Sequence, residues 1–422
     1  MNGPIYLDYQ ATTPLAAEAA AAMRPWLESH FANPHSAHRP GREAAAAIEV
    51  ARERVMEALT LGSLSPLGSD SGENPRSSRA KSRGDCTDSE PAPLDYARDE
   101  RISAPAPPPA GKLYFTSGAT EAANWALKGA ALRLPEGRRR IVTFATEHAC
   151  VLDTVEWLGR LLFDVEVLPV GSDGIADLGA LEAALARPTG LVAAMLVNNE
   201  IGVIQPVAEI GRMAREAGAL FFCDAVQGFG RVPLPIEACD MVAVSAHKVH
   251  GPKGIGALWV RDGVRLEPLL HGGGQEGGLR SGTLSPALCA GFGEAARLLV
   301  ERRAADAAHV ERLWELARQE MRGWTLNGSA DERYRGNLNL RRDGVDSARL
   351  ISGLRAVAFS AGSACASGSG RPSHVLAALG LGAGEARSSI RVGFGRYTSE
   401  KQLTDALTLI DASALLQLPD AA

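Results

Sequence analysis

Apolar and polar positions repeat with two different periods along this chain, and each change of period marks an element. Ile5-Tyr6-Leu7-Asp8 predicts a short strand, closed by Thr12-Thr13-Pro14. A helix is predicted over 16–27 and an Ala-rich one over 43–59, separated by the turn-rich run Asn33-Pro34-His35-Ser36-Ala37-His38-Arg39-Pro40-Gly41-Arg42. From Lys112 the periods alternate. Strands are predicted at 113–115, 140–144, 165–169, 191–197, 219–223, 241–245 and 255–260. Helices are predicted from Thr120, from Cys150, over 178–185 and over 207–217. Such alternation builds a mostly parallel sheet covered on both faces. Two helical stretches, 286–305 and 308–322, lead into shorter strands and helices that suit a smaller α+β unit.

One stretch breaks this order. Residues 61–111 are rich in Ser, Pro, Gly, Arg and Asp, include Pro105-Ala106-Pro107-Pro108-Pro109, and lack apolar periodicity. Such a composition buries too little surface to offset its ordering entropy, so it reads as a disordered insert. Closure entropy grows slowly with length, at about 0.6 kcal/mol per doubling, so the fold tolerates it.

Composition narrows the function classes. A net charge of −5 opposes an electrostatic nucleic-acid binder. No run of about 18 apolar residues suggests a membrane span. Met1-Asn2-Gly3-Pro4-Ile5-Tyr6 has neither the basic nor the apolar region of a signal peptide, which points to the cytoplasm. The six cysteines have no zinc spacing, so no metal site is expected. Cys150, Cys223, Cys239 and Cys289 lie in or beside apolar segments and read as buried structural thiols, while Cys86 falls in the insert with no role.

Open α/β sheets bind ligands beyond the carboxyl ends of their strands. In chain order those ends carry Thr116-Ser117-Gly118-Ala119-Thr120-Glu121, Glu147-His148, Asn198-Asn199-Glu200, Asp224-Ala225-Val226-Gln227 and Ser245-Ala246-His247-Lys248. Singly, each is as well explained by a cap or a polar loop. Together they supply what an aldehyde cofactor needs: a lysine amine to link it, a carboxylate for its ring nitrogen, and helix N–H groups with hydroxyls for its phosphate. Lys253, in a Gly-Pro-Lys-Gly turn, is the rival lysine. Lys248 is preferred because it directly follows a predicted strand.

The run from Ser245 to Gly254 resembles the cofactor-lysine segment of NifS/IscS-type cysteine desulfurases, fold-type-I enzymes of the class V aminotransferase group. Leu7-Asp8-Tyr9-Gln10-Ala11-Thr12-Thr13-Pro14, Asn33-Pro34-His35-Ser36, Val197-Asn198-Asn199-Glu200-Ile201-Gly202, Arg280-Ser281-Gly282-Thr283 and Gly362-Ser363-Ala364-Cys365 extend the resemblance over nearly the whole chain outside the insert. One departure is Gly277, where many members carry Arg. The resemblance implies a large pyridoxal 5′-phosphate domain (15–303) with a mostly parallel seven-stranded sheet. Residues 1–14 and 304–422 would form a smaller α+β domain carrying the Cys365 loop.

It also implies roles. Lys248 would carry pyridoxal 5′-phosphate, Asp224 pair with the ring nitrogen, and His148 stack on the ring and shuttle protons. Asn199 and Gln227 would set the ring's hydroxyl side. Ala119, Thr120, Ser245 and His247 would hold the phosphate, and Thr283 would reach the phosphate of a neighbouring subunit, implying a homodimer. Arg391 would clamp the substrate carboxylate with Asn33 assisting. Cys365 sits among small residues, in Ser360-Ala361-Gly362-Ser363-Ala364-Cys365-Ala366-Ser367-Gly368-Ser369-Gly370, as suits an accessible reactive thiol. The implied reaction takes sulfur from L-cysteine, leaves it as a persulfide on Cys365 and releases alanine, with a sulfur-acceptor protein downstream. Selenocysteine lyase, an aminotransferase or β-lyase, and a non-catalytic scaffold are the alternative readings. Deleting the 61–111 insert should leave cofactor binding unchanged in an absorbance titration; loss of binding in a soluble deletion variant would contradict its being peripheral.

Overall fold

The computed structural model describes residues 3–61, 110–361 and 373–418. Cys86, Cys365 and all but the edges of the 61–111 insert lie outside the described residues. Strand β1 (Ile5–Tyr6) precedes helices α1 (Ala17–Glu28) and α2 (Arg39–Leu61). The alternating region runs β2 (Gly111–Thr116), α3 (Ala119–Ala131), β3 (Arg140–Phe144), α4 (Ala149–Gly159), β4 (Asp164–Leu168), α5 (Leu178–Leu185), β5 (Leu191–Met195), α6 (Val207–Glu216), β6 (Leu220–Asp224), β7 (Met241–Ser245) and β8 (Gly256–Arg261). Then come α7 (Pro286–Glu320), β9 (Thr325–Leu326), β10 (Asn337–Arg341), α8 (Ser347–Gly353), β11 (Val357–Ala358), α9 (His374–Ala378), α10 (Ala383–Arg387), β12 (Ser389–Gly393) and α11 (Glu400–Leu415).

Seven strands form one sheet in the order β2-β8-β7-β6-β5-β3-β4. Pairing is parallel from β7 to β4, and β8 runs antiparallel to both its neighbours. The expected mostly parallel seven-stranded α/β sheet is therefore present. Strands β3, β5 and β7 are buried at every residue, because helices cover both faces. One core lies on the α2, α6 and α7 side, around Phe115, Phe221, Phe292 and Trp259. The opposite face packs on Trp125, Leu127, Val155 and Leu158 of α3 and α4. Helices α2 and α7 approach closely, and Gly293 makes that possible: a Cβ there would lie 2.6 Å from the Ala51 Cα.

A second core gathers Leu7, Leu313, Trp314, Leu338, Ile390, Phe394 and Leu407. It packs against the antiparallel trio β9-β10-β12 and the parallel pair β1-β11. The two helical stretches expected at 286–305 and 308–322 are one helix, α7. Ala304-Ala305-Asp306-Ala307-Ala308 contains no Gly or Pro, so nothing in the backbone stops the helix. Its first half belongs to the large core and its second to the small one, so a single rod joins them. Among the described residues, no helix is long and apolar enough to cross a membrane.

Candidate active site

A cavity of about 540 Å³ opens at the carboxyl ends of β5, β6 and β7. Its wall includes Lys248, Asp224, His148, Ala119, Thr120, Asn199, Gln227, Ser245, His247 and Arg391. Ten of the expected site residues thus meet in one place, although they come from segments more than 270 positions apart. Asn33 and Thr283 do not line it. The Asn33 side chain accepts from the His35 N–H at 2.9 Å on an exposed loop, and Thr283 is exposed. Cys365 lies outside the described residues.

Lys248 stands one turn past the end of β7, and its amine donates to the carbonyls of Gln10 and Ala11 at 2.5 and 2.8 Å. These acceptors are neutral, and burial pushes the amine down to about 8, with the charges of Arg231 and Arg391 adding to the effect. Lys253 also lines the cavity but is exposed. Asp224 ends β6 and is buried. Its Oδ1 accepts the Val226 N–H at 3.0 Å. Burial raises its proton affinity, and His148 and Lys248 oppose that. A carboxylate in this position is completed by a cationic N–H facing it, such as a protonated ring nitrogen.

His148 is the N-cap of α4, and its Nδ1 accepts from the Cys150 N–H at 3.1 Å. That leaves Nε2 to carry the hydrogen of the neutral ring. Two neighbours went unrecognised in the sequence. Cys150, read there as a buried structural thiol, is half-buried, lines the cavity and brings its sulfur within 3.1 Å of His148 Nδ1. Its position as the second residue of α4, two after the N-cap His148, was the available signal. His374, at the start of α9, lines the cavity and bonds to the Glu147 carbonyl at 2.9 Å. Cys223, Cys239 and Cys289 are buried, as expected. Glu147 is buried with one carboxylate oxygen on the Met195 N–H at 2.7 Å and the other without a partner; burial pushes it up to about 8.

The opposite end of the cavity suits a phosphate. Helix α3 begins there with Gly118 at its N-cap and no side-chain cap, so its first N–H groups remain available beside the Thr120 hydroxyl. A Cβ on Gly118 would meet nothing within 4 Å, which marks open space at that turn. Glu121 fixes the turn by accepting the Ser117 N–H at 2.7 Å and pairing with Arg280 at 2.7 Å, which ties the Thr283 segment to it. His247 bonds to Thr12 Oγ1 at 3.2 Å and is pushed down to about 4 by burial and by Lys248, so it is a neutral donor or acceptor there.

Arg391 is almost fully buried between Asp8, at 2.8 Å, and the Asn199 carbonyl, at 2.9 Å. The side chain lines the cavity and its buried Nε has no partner, so the guanidinium keeps unspent N–H capacity for a carboxylate. The Gln227 amide donates to the Gln10 carbonyl and accepts from Arg231, leaving one N–H available. Both described neighbours of the Cys365 segment are anchored at this cavity. Ser360 exchanges backbone bonds with Arg391, and the Ser373 hydroxyl donates to Glu200 at 2.5 Å. The donor set therefore fits pyridoxal 5′-phosphate at each of its polar groups.

The family Aminotransferase class-V matches residues 5–63 and 106–406, leaving a gap within the insert. The chain is 40% identical to "Cysteine desulfurase IscS" of Rickettsia bellii over 416 residues, covering 96% of this chain and 90% of that relative. Among solved structures it is similar to a NifS-like protein, with 30% identity, a TM-score of 0.79 and coverage of 97% and 98% of the two chains. A NifS-like protein from Rickettsia africae gives 26% identity, a TM-score of 0.78 and coverage of 97% and 99%.

Two titrations follow from the geometry. The rate at which the apoenzyme captures pyridoxal 5′-phosphate should climb as pH rises through about 8 and then level, as Lys248 loses its proton; a midpoint near the ordinary lysine value of 10.5 would contradict a desolvated amine. Glu147 keeps its proton up to about 8 when folded but only to about 4.5 when unfolded, so wild-type stability falls between those pH values. Denaturant unfolding of the apoenzyme should show Glu147→Gln gaining on wild type from pH 5 to pH 8, by roughly 1 kcal/mol or more. A constant difference across that range would mean the carboxyl is already ionised at pH 5.

Proposed function

The chain belongs to the class V aminotransferase family, and from that membership we propose which of its residues carry each part of the reaction. It is a pyridoxal 5′-phosphate-dependent cysteine desulfurase, which takes L-cysteine as substrate and hands its sulfur to acceptor proteins. The observation that carries the assignment of roles is the meeting of Lys248, Asp224, His148 and Arg391 in one cavity.

Lys248 would hold the cofactor, Asp224 its ring nitrogen and His148 its ring face. Asn199 and Gln227 would face its hydroxyl side, and Ala119, Thr120, Ser245 and His247 its phosphate. When bound, the cofactor draws electrons from the substrate α-carbon and so weakens its C–H bond and the neighbouring C–S bond. Arg391 receives the L-cysteine carboxylate on its unspent N–H groups, which fixes the amino acid's orientation. The lowered proton affinity of Lys248 lets its free amine exist near neutral pH and accept the α-proton. His148, with its hydrogen on Nε2, is placed to deliver a proton within the cavity.

Cys365 is the sulfur acceptor in this reading. Its thiolate attacks the substrate sulfur, an S–S bond forms at Cys365, and the substrate C–S bond breaks. Protons returned to the former sulfur-bearing carbon and to the α-carbon complete alanine, so atoms and electrons balance with no added oxidant. The anchoring of Ser360 and Ser373 at the cavity supports a Cys365 segment that works there. We further infer a homodimer in which the exposed Thr283 reaches the neighbouring phosphate, and iron–sulfur cluster assembly or thio-cofactor and tRNA synthesis as the sulfur's destination. The unpaired state of Cys150, Cys223, Cys239 and Cys289 suits a reducing cytoplasm.

Cys365→Ser should retain the cofactor's visible absorbance yet form no persulfide by mass spectrometry and release alanine only at background rate. Wild-type alanine release from that variant would remove Cys365 from the mechanism.

A further inference from the structure

A second cavity, of about 510 Å³, lies behind Lys248, between the loop after β6, the middle of α7 and residues 333–335 and 395–396. It is lined by several arginines, and their charges are balanced unequally. Arg396 pairs with Asp306 at 2.7 Å, and Arg335 pairs with Glu311. Arg231 and Arg333 have no carboxylate partner among the described residues.

Neutral groups hold both. Arg231 donates to Gln227 Oε1 at 2.7 Å and to the Lys248 carbonyl. Arg333, only 4% exposed, donates to the carbonyls of Ser329 and Ile201. Its Nε has no partner, and neither does Nη1 of Arg396, whose side chain is 3% exposed. A buried cation surrounded by neutral acceptors is costly, and an anion beside it offsets that cost. Burial lowers Arg231 and pushes Arg333 down to about 9, as expected of charges without a counter-ion.

Apart from these groups and Arg303, Lys248 and His250, the wall is apolar and aromatic. The Arg231 guanidinium lies 5.2 Å from the Tyr334 ring centre, and Val249, Leu299 and Val310 complete that side. The space is larger than an inorganic ion needs and within the range of small-molecule sites. We propose that this cavity binds a small organic anion, a carboxylate or phosphate ester on an apolar body. Guanidinium groups recognise both head groups in a planar fork.

Occupancy would be felt at the active site, because Lys248 lines both cavities and Arg231 donates to its backbone carbonyl. An anion beside Arg231 screens the charge that helps keep the Lys248 amine unprotonated. This consequence rests on the assigned role of Lys248; binding itself does not.

Calorimetry on the holoenzyme tests the site with benzoate, phenyl phosphate and inorganic phosphate, since the bound cofactor already fills the phosphate turn of the first cavity. Ala307 is exposed on α7 and lines the second cavity, so Ala307→Trp should fill it without disturbing the fold, checked by retained cofactor absorbance. The expected result is saturable one-to-one binding of benzoate or phenyl phosphate, weakened at least tenfold in both Ala307→Trp and Arg333→Met, with whichever probe binds identifying the head group. No saturable binding of either organic probe would overturn the proposal. Equal affinity in wild type and Ala307→Trp would also overturn it, by placing the anion at Arg391. Inorganic phosphate binding as tightly as phenyl phosphate would overturn the organic body.

Discussion

A largely buried lysine amine and a buried carboxylate share one cavity in this protein, and that juxtaposition organises the rest. It is produced by the neighbouring parallel strands β6 and β7, which end at Asp224 and Ser245 and leave Lys248 one short turn further on. Desolvation alone would neutralise both groups. The N-terminal segment tempers this at Lys248 by folding over it. Thr13 N–H donates to the His247 carbonyl, Ala16 N–H to the His250 carbonyl, and His250 N–H to Thr13 Oγ1. Those bonds hold the Gln10 and Ala11 carbonyls where the amine can use them. The amine is thereby fixed in place but, among the described residues, given no negative partner at hydrogen-bond distance.

The same geometry explains why the small unit matters to chemistry located on the large sheet. Arg391 comes from β12 and reaches the cavity only because Asp8 and the Asn199 carbonyl hold it there. The backbone of Ser360 pairs with Arg391 itself, and Ser373 is tied to Glu200. Arg391 and Ser360, a described residue just before the Cys365 segment, are thus held together on β12 and its neighbouring strand. Helix α7, continuous through both cores, joins the small core to the large one.

Much of this was legible in the sequence where one physical rule dominates. Strands buried on both faces read as short apolar runs, so β3, β5 and β7 could be placed closely, and polar residues at their ends marked the cavity. The order of strands in the sheet was not legible, because it depends on crossovers rather than on local pattern. The continuity of α7 was missed because its solvent-facing Ala304–Ala308 stretch carries little amphipathic signal. Gln10 and Ala11 act through backbone carbonyls, which no side-chain pattern reveals. Cys150 looked like core because its neighbours are apolar, yet its helix starts at the cavity rim. Asn33 and Thr283 point to a different limit: in a single chain neither reaches the cavity.

The placing of Lys248 and Asp224 around one cofactor is tested most directly by locking that cofactor in place. Borohydride reduction of the holoenzyme, followed by peptide mapping in the mass spectrometer, should find pyridoxal phosphate on the peptide containing Lys248 alone, with Asp224→Ala reducing its retention. Recovery of the label on Lys253, or full retention without the Asp224 carboxylate, would contradict the account.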